Sequence, residues 1–123
     1  TVAKMEFSTA ELTATADIVS GVWSPDGVSQ VYIIHLDKNI TLDAWAGITA
    51  AGTEDDPKPN AFSAIIYVVQ DATGGRTLTF GSNYAVVSRT QAIGGAANQV
   101  SILQLTYPGF GDIVDVIIAQ RNV

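Results

Sequence analysis

The sequence predicts an all-β fold, a small antiparallel β-sandwich or barrel of about seven to nine strands. Apolar and polar residues alternate with the period of two that marks a strand with one buried face. Gly, Pro, Asn and Asp recur between the apolar runs, where they favour turns. The runs are too short for helices and are rich in β-branched residues. The 123 residues suit one domain, spanning 1–123.

The first part of the chain carries one competing signal. Residues 12–18 alternate as a strand does, although Ser8 and Glu11 have the spacing of a helix capping box. A strand is the preferred interpretation, because Thr and Val dominate the residues after Glu11 and are better strand formers than helix formers. A Ser-Pro-Asp-Gly turn at 24–27 then leads to an apolar strand at 31–36.

The middle of the chain continues with short strands and one long loop. A tight turn at 37–39 precedes a strand that begins at Ile40. Residues 47–60 contain Pro57 and Pro59, which cannot lie in a central strand, so this acidic stretch is expected to be an exposed loop.

The second half of the chain shows the same succession of predicted strands and turns. Residues 61–70 form the most apolar run, and the turn at 71–75 is predicted to close a hairpin with an alternating strand at 76–80. Further strands are expected at 84–87, 100–107 and 113–120, with a loop at 94–98 and a hairpin turn at 108–112.

The charge balance restricts the partners. The chain has 12 acidic and 6 basic residues, a net charge of −6, which disfavours nucleic acid and anionic membrane surfaces. No apolar run approaches the roughly 20 residues of a membrane span, so no membrane insertion is expected. Charged residues make up only 15%, which suggests that another chain covers part of the surface.

Residues 70–84 (QDATGGRTLTFGSNY) resemble a motif of bacteriophage tail-fibre and other virion structural proteins. Asn39-Ile40-Thr41-Leu42 before it, and Gly94-Gly95 and Asn98 after it, match the order of that family. The resemblance implies a β-rich module of the virion surface or tail that forms a homotrimer. It also implies contact with other virion proteins and with a host-surface glycan or protein. The long acidic loop and Ala96-Ala97 depart from the family pattern.

The turn inside this motif also has a physical interpretation. Gly74 and Gly75 permit positive φ, and Asp71 is placed to accept hydrogen bonds from amides of the turn. Arg76 is placed to pair with Asp71 across the predicted hairpin. These four residues are therefore predicted to have a structural role.

The titratable residues do not form a recognisable catalytic set. His35 is the only histidine, and no G-x-S-x-G motif supplies a nucleophile. Asp112 and Asp115, like Asp37 and Asp43, flank turns, where acids usually act as caps. We therefore expect no enzymatic activity, no cofactor and no bound metal. Two alternatives stay open: a His35 cluster on a trimer axis, and Ca²⁺ at the acidic triplet of residues 54–56.

The candidate surface-binding residues lie in the two predicted loops and at their borders. Aromatic side chains at loops are reasonable binding contacts, or else cover the seam of the trimer. The candidates are Trp45, Glu54, Asp55, Asp56, Tyr107 and Phe110. Together with the resemblance, they predict a non-enzymatic fibre module that mediates attachment. The alternative is a capsid-decorating, or cement, protein that binds the virion shell.

Overall fold

The computed structural model describes residues 9–12, 18–19, 31–42, 53, 55 and 62–122. The described residues form strands and turns, and no helix. The strands are β1 (Thr9–Leu12), β2 (Ile18–Val19), β3 (Val31–Leu36), β4 (Ile40–Leu42), β5 (Phe62–Gln70), β6 (Leu78–Phe80), β7 (Tyr84–Val86), β8 (Val100–Tyr107) and β9 (Val114–Gln120). The predicted all-β class is confirmed.

The strands form two sheets, an arrangement consistent with a small β-sandwich. The large sheet has the order β1-β3-β5-β8-β9-β7, and the small sheet has the order β2-β4-β6. The first six strands alternate between the two sheets, so that each strand of the large sheet is followed by one of the small sheet. This part of the chain is therefore a short parallel coil.

Strand direction differs from the antiparallel arrangement expected from the sequence. The pairs β5–β8 and β8–β9 are antiparallel, and the latter is the hairpin predicted around residues 108–112. The pairs within the coil are parallel, as is β7–β9. Alternation with a period of two is common to both directions, so it reports which face is buried and not how strands run.

The core lies between the two sheets and explains the alternation. On β3, Tyr32, Ile34 and Leu36 point inward and are buried. The register continues this inner face across the large sheet. Its partners there include Ile66, Val68, Leu103, Leu105, Val116 and Ile118, and the small sheet adds Ile40, Leu42 and Leu78. Each fully buried side chain of this size contributes about 1.5–3 kcal/mol of hydrophobic stabilisation.

The turn at 71–75 requires a correction. The sequence predicts the tip of a hairpin here, but β5 pairs with β3 and β8, whereas β6 pairs with β4 in the other sheet. Residues 71–77 instead form a corner that carries the chain from the large sheet to the small one. Val68, near the end of β5, and Leu78, at the start of β6, are both buried in the core between the two sheets. Their burial favours a corner between the sheets over a hairpin within one sheet.

Some expectations lie outside the described residues. They are the alternation between residues 13 and 17, the turn at 24–27, and most of the loop at 47–60.

Candidate attachment and self-association surfaces

Asp71 organises the corner between β5 and β6. Its Oδ1 accepts hydrogen bonds from the backbone N–H groups of Thr73 (3.1 Å) and Gly74 (2.9 Å). Its Oδ2 accepts two from the Arg76 guanidinium, from Nε at 3.1 Å and Nη2 at 2.9 Å. One carboxylate thus accepts hydrogen bonds from two backbone amides of the turn and also fixes the position of the Arg76 side chain.

These contacts act on the acidity of the carboxyl group. The hydrogen bonds from Arg76 lower the pKa of Asp71 below its usual value, and the backbone N–H of Gly74 lowers it further. Both interactions favour the ionised form. The corner is consequently built for a charged Asp71.

Gly74 has no room for a side chain. Its φ is +72°, a conformation in which a side chain is strained, and an added Cβ would lie 2.8 Å from both Ala97 N and Gly95 O. Gly75 also has a positive φ, of +74°, but nothing lies near its missing side chain. The requirement for glycine is therefore stronger at Gly74.

The corner is joined to the loop at 94–99 by a buried glutamine. Gln70 Nε2 donates to the carbonyl oxygens of Arg76 (2.6 Å) and Gly94 (2.9 Å), and its Oε1 accepts from Arg76 N (3.1 Å). The backbone adds Gly75 N to Gly95 O, at 2.8 Å. The two segments that carried the resemblance therefore lie against each other.

Gln99 and Ser101 hold the other side of this loop. Gln99 Oε1 accepts from Ala96 N (3.0 Å), and its Nε2 donates to Arg121 O (2.7 Å). Ser101 Oγ accepts from Gly94 N at 2.8 Å. Neither these two residues nor Gln70 was predicted from the sequence. The signal that could have found them is a polar residue at an inward position at the end of an apolar strand, since such a residue must be hydrogen-bonded.

The large sheet has an apolar outer face as well as an apolar inner one. We define the outer face as these partly or fully exposed residues: Val31, Ile33, Ile65, Tyr67, Val69, Val100, Ile102, Ile117 and Ala119. Ile33, Tyr67, Ile102 and Ala119 form one continuous row across four strands. Ile117 is 45% exposed. The guanidinium of Arg121 lies 5.8 Å from the centre of the Tyr67 ring.

Charged residues border this surface on several strands. Glu11 pairs with Ile33 in the register of β1 and β3. His35 is exposed on the same side of β3, beside Val69 in the register. Asp115 lies at the far end, opposite Thr106. Within the described part of the chain, no three His, Cys, Asp or Glu side chains come together as a metal-binding group.

Two of the three aromatic candidates, Tyr107 at the end of β8 and Phe110 in the turn at 108–112, differ in burial. Tyr107 is buried, and its hydroxyl donates to Gly111 O at 2.8 Å. Its prediction as a surface-binding residue is wrong, because the inward alternation of β8 continues to the last residue of the strand. Phe110 is half-buried within the turn. Asn83 Nδ2 donates to Asp112 O at 2.7 Å and holds the turn.

The remaining candidates are only partly described. Asp55 is exposed. Trp45, Glu54 and Asp56 lie outside the described residues.

Comparison with known protein families identifies the family to which the chain belongs. Residues 23–112 match the family described as "Putative phage tail fibre C-terminal domain". The chain belongs to this family. It is therefore a structural domain of a phage tail fibre, located in the virion tail. No curated protein and no solved structure matches it.

The match covers most of the tail fibre domain. It begins before β3 and ends in the turn between β8 and β9, so it includes both the corner at 71–77 and the loop at 94–99. In the part of the fibre domain that is described, no helix has the length and apolar character needed to cross a membrane.

Proposed function

We propose that this tail fibre domain is a non-enzymatic attachment module that assembles as a homotrimer. The observation that carries the proposal is the apolar outer face of the large sheet. A sheet that faces water on one side normally presents polar residues there. Here Ile33, Tyr67 and Ile102 occupy adjacent positions on that side.

Charge also favours contact between copies through this face. The chain carries a net charge of −6, so two copies repel each other over most orientations. The outer face as defined contains no charged residue, and Glu11, His35, Asp115 and Arg121 stand beside it. Contact there buries apolar surface and few carboxylates. Contact through other parts of an acidic protein would bury more carboxylates, at a cost in desolvation.

Attachment is proposed to occur through loops that the assembly repeats three times. Phe110 lies half-buried in the turn at 108–112, and Asp55 is exposed in the acidic stretch at 47–60. Three weak contacts on one rigid assembly give an avidity far above that of a single contact. The receptor class is a host-surface glycan or protein, and other virion proteins anchor the fibre. The alternative function, capsid decoration, gains no support from membership of a tail fibre family.

Light scattering at micromolar concentration tests the assembly. A homotrimer has about three times the chain mass of 12.9 kDa, and a measured mass near 12.9 kDa refutes the proposal. Ile117→Asp is expected to weaken assembly at least tenfold, because it places a charge in the contact.

Ile113→Asp is the matched control for that substitution. Ile113 is 43% exposed, against 45% for Ile117, but it is not one of the outer-face residues and lies between the turn at 108–112 and β9. The control is expected to leave the mass unchanged. An equal loss of assembly in both variants contradicts a role for the outer face.

A further inference from the structure

Among the described residues, β6 is the last strand of the small sheet, and a groove runs along its outer edge. The volume of the groove is about 510 Å³. One wall is β6 with the end of the corner, and the other is the segment after β7. The groove is lined by Gly75, Arg76, Thr77, Leu78, Thr79, Phe80, Gln91, Ala92, Ile93 and Gly95.

Only alternate residues of β6 form backbone hydrogen bonds with its partner strand β4. Ile40 N donates to Thr77 O (3.0 Å), and Gly81 N donates to Leu42 O (2.7 Å). In a parallel pair, the N–H and C=O groups of one residue point to the same side and successive residues alternate, so those of Leu78 and Phe80 point away from β4. They point to the side on which the groove lies.

The topology explains why there is room for another strand. Beyond β5, the large sheet continues with β8, β9 and β7, whereas the part of the chain that the structure describes adds no strand to the small sheet beyond β6. The groove occupies the position of the next strand of the small sheet. Phe80 and Ile93 are half-buried, pack against the core and line the groove. An added strand would therefore extend both the sheet and the core.

The far wall is held in place by β9. Ser88 Oγ accepts a hydrogen bond from Ile118 N at 2.9 Å, and Gln120 Nε2 donates to Ala92 O at 2.9 Å. Gln91 Nε2 also donates to Ser88 O. A wall that is already ordered costs little further entropy on binding.

Resting on the proposed anchoring of the fibre by other virion proteins, we infer that this groove accepts an extended, uncharged segment of one such protein, which adds to β6 as a further strand. Among the described residues that line the groove, Arg76 alone is charged, and Asp71 already pairs with it at 2.9 Å. A charged segment finds no free counter-ion among these lining groups. A neutral segment needs no counter-ion and leaves the Arg76–Asp71 pair in place.

The pattern of β6 defines the side chains of the segment. Leu78 and Phe80 point to the core, while Thr77 and Thr79 are exposed. The added strand is expected to alternate likewise, with Val, Ile or Leu inward and Ser or Thr outward. The groove belongs to the small sheet and the outer face to the opposite layer, so the segment binds with the trimer assembled or separated.

Nuclear magnetic resonance of the ¹⁵N-labelled chain tests the inference. The probe is a pool of capped seven-residue peptides in which Val, Ile or Leu alternates with Ser or Thr. Saturable shifts of the Leu78 and Phe80 amide signals are expected. Ala92→Asp, which adds a charge to the groove wall, is expected to weaken binding at least tenfold. Ala72→Asp, at an exposed alanine outside the groove, is the control and leaves binding unchanged.

Several outcomes overturn the inference. They are the absence of shifts at Leu78 and Phe80 at millimolar peptide, equal binding by Ala92→Asp and wild type, and shifts of the same amides by neutral oligosaccharides in place of peptides. Shifts that appear on raising the concentration of the chain alone assign the groove to a second copy, and also overturn it. Light scattering on the same samples reports the trimer separately, so failure of one proposal is distinguishable from failure of the other.

Discussion

The side chain of Gln70 donates a hydrogen bond to the carbonyl oxygen of Gly94, which lies 24 residues further along the chain. The same amide nitrogen reaches Arg76 O, so one buried residue joins the corner at 71–77 to the loop at 94–99. The stability of this region of the fibre domain therefore depends on a contact between two segments distant in sequence.

Gln70→Ala is expected to lower the free energy of unfolding by about 2–5 kcal/mol. The substitution leaves Arg76 O and Gly94 O without this donor, and an unsatisfied buried group costs about 1–3 kcal/mol. Urea denaturation followed by circular dichroism measures the change. Gln104→Ala removes a similar side chain from an exposed position and is expected to change the free energy by less than about 0.5 kcal/mol. Equal losses would assign the effect to the strands themselves.

Gly74→Ala is expected to destabilise the domain more than Gly75→Ala, and Gly95→Ala least. All three lie at the corner or its partner loop. Gly74 combines positive φ with a Cβ clash, Gly75 has positive φ in open space, and Gly95 has neither feature. The strain of a side chain at positive φ costs about 1–2 kcal/mol, and the clash adds to it at Gly74. Thermal melts of the three variants give the order, and a Gly95 variant as unstable as the Gly74 variant would contradict it.

The contribution of Asp71 to stability is expected to depend on pH. Since its pKa is lowered in the folded state, the ionised carboxyl stabilises the fold above its unfolded value of about 3.9. This stability is lost as the pH falls through the folded pKa. Asp71→Asn is therefore destabilised relative to wild type at pH 7, and the difference shrinks towards pH 2.

Arg76→Met distinguishes the ion pair from the turn itself. Because the hydrogen bonds from Arg76 are the largest cause of the lowered pKa, the effect of Asp71→Asn at pH 7 is expected to be smaller in the Arg76→Met background. Stability measured at both pH values in all four proteins completes the cycle. A pH effect of unchanged size in that background would show that the backbone amides alone are responsible.

Phe110 and Tyr107 are expected to behave differently although they lie only three positions apart. Phe110→Ala should reduce binding of the fibre to host cells while the fold stays intact, because the ring is only half-buried in a turn. Tyr107→Phe removes the hydrogen bond to Gly111 O and should cost about 0.5–1.5 kcal/mol of stability without reducing cell binding. Cell binding by labelled protein and urea denaturation measure the two effects. Loss of the trimer in Phe110→Ala would instead place the ring in the seam.

The features that rest on local interactions could be predicted from the order of the residues alone. Apolar runs between turn residues identified strands such as β3 and β8. Alternation with a period of two identified β6 and put Leu78 and Phe80 on one face, because the side chains of a strand point alternately to its two sides. The turn chemistry around Asp71 also depends on neighbours within a few residues, and it placed Arg76 within reach of the carboxylate.

The features that depend on contacts between distant segments became visible only in the folded chain. The corner at 71–77 replaces a hairpin because β5 and β6 pair with strands elsewhere in the chain, and the turn residues suit both geometries. The burial of Tyr107 and the Gln70–Gly94 contact likewise need elements brought together from far apart. The groove beside β6 exists because the two sheets end at different strands. No local pattern encodes where a sheet ends, since that is determined by which strands compete for the same edge.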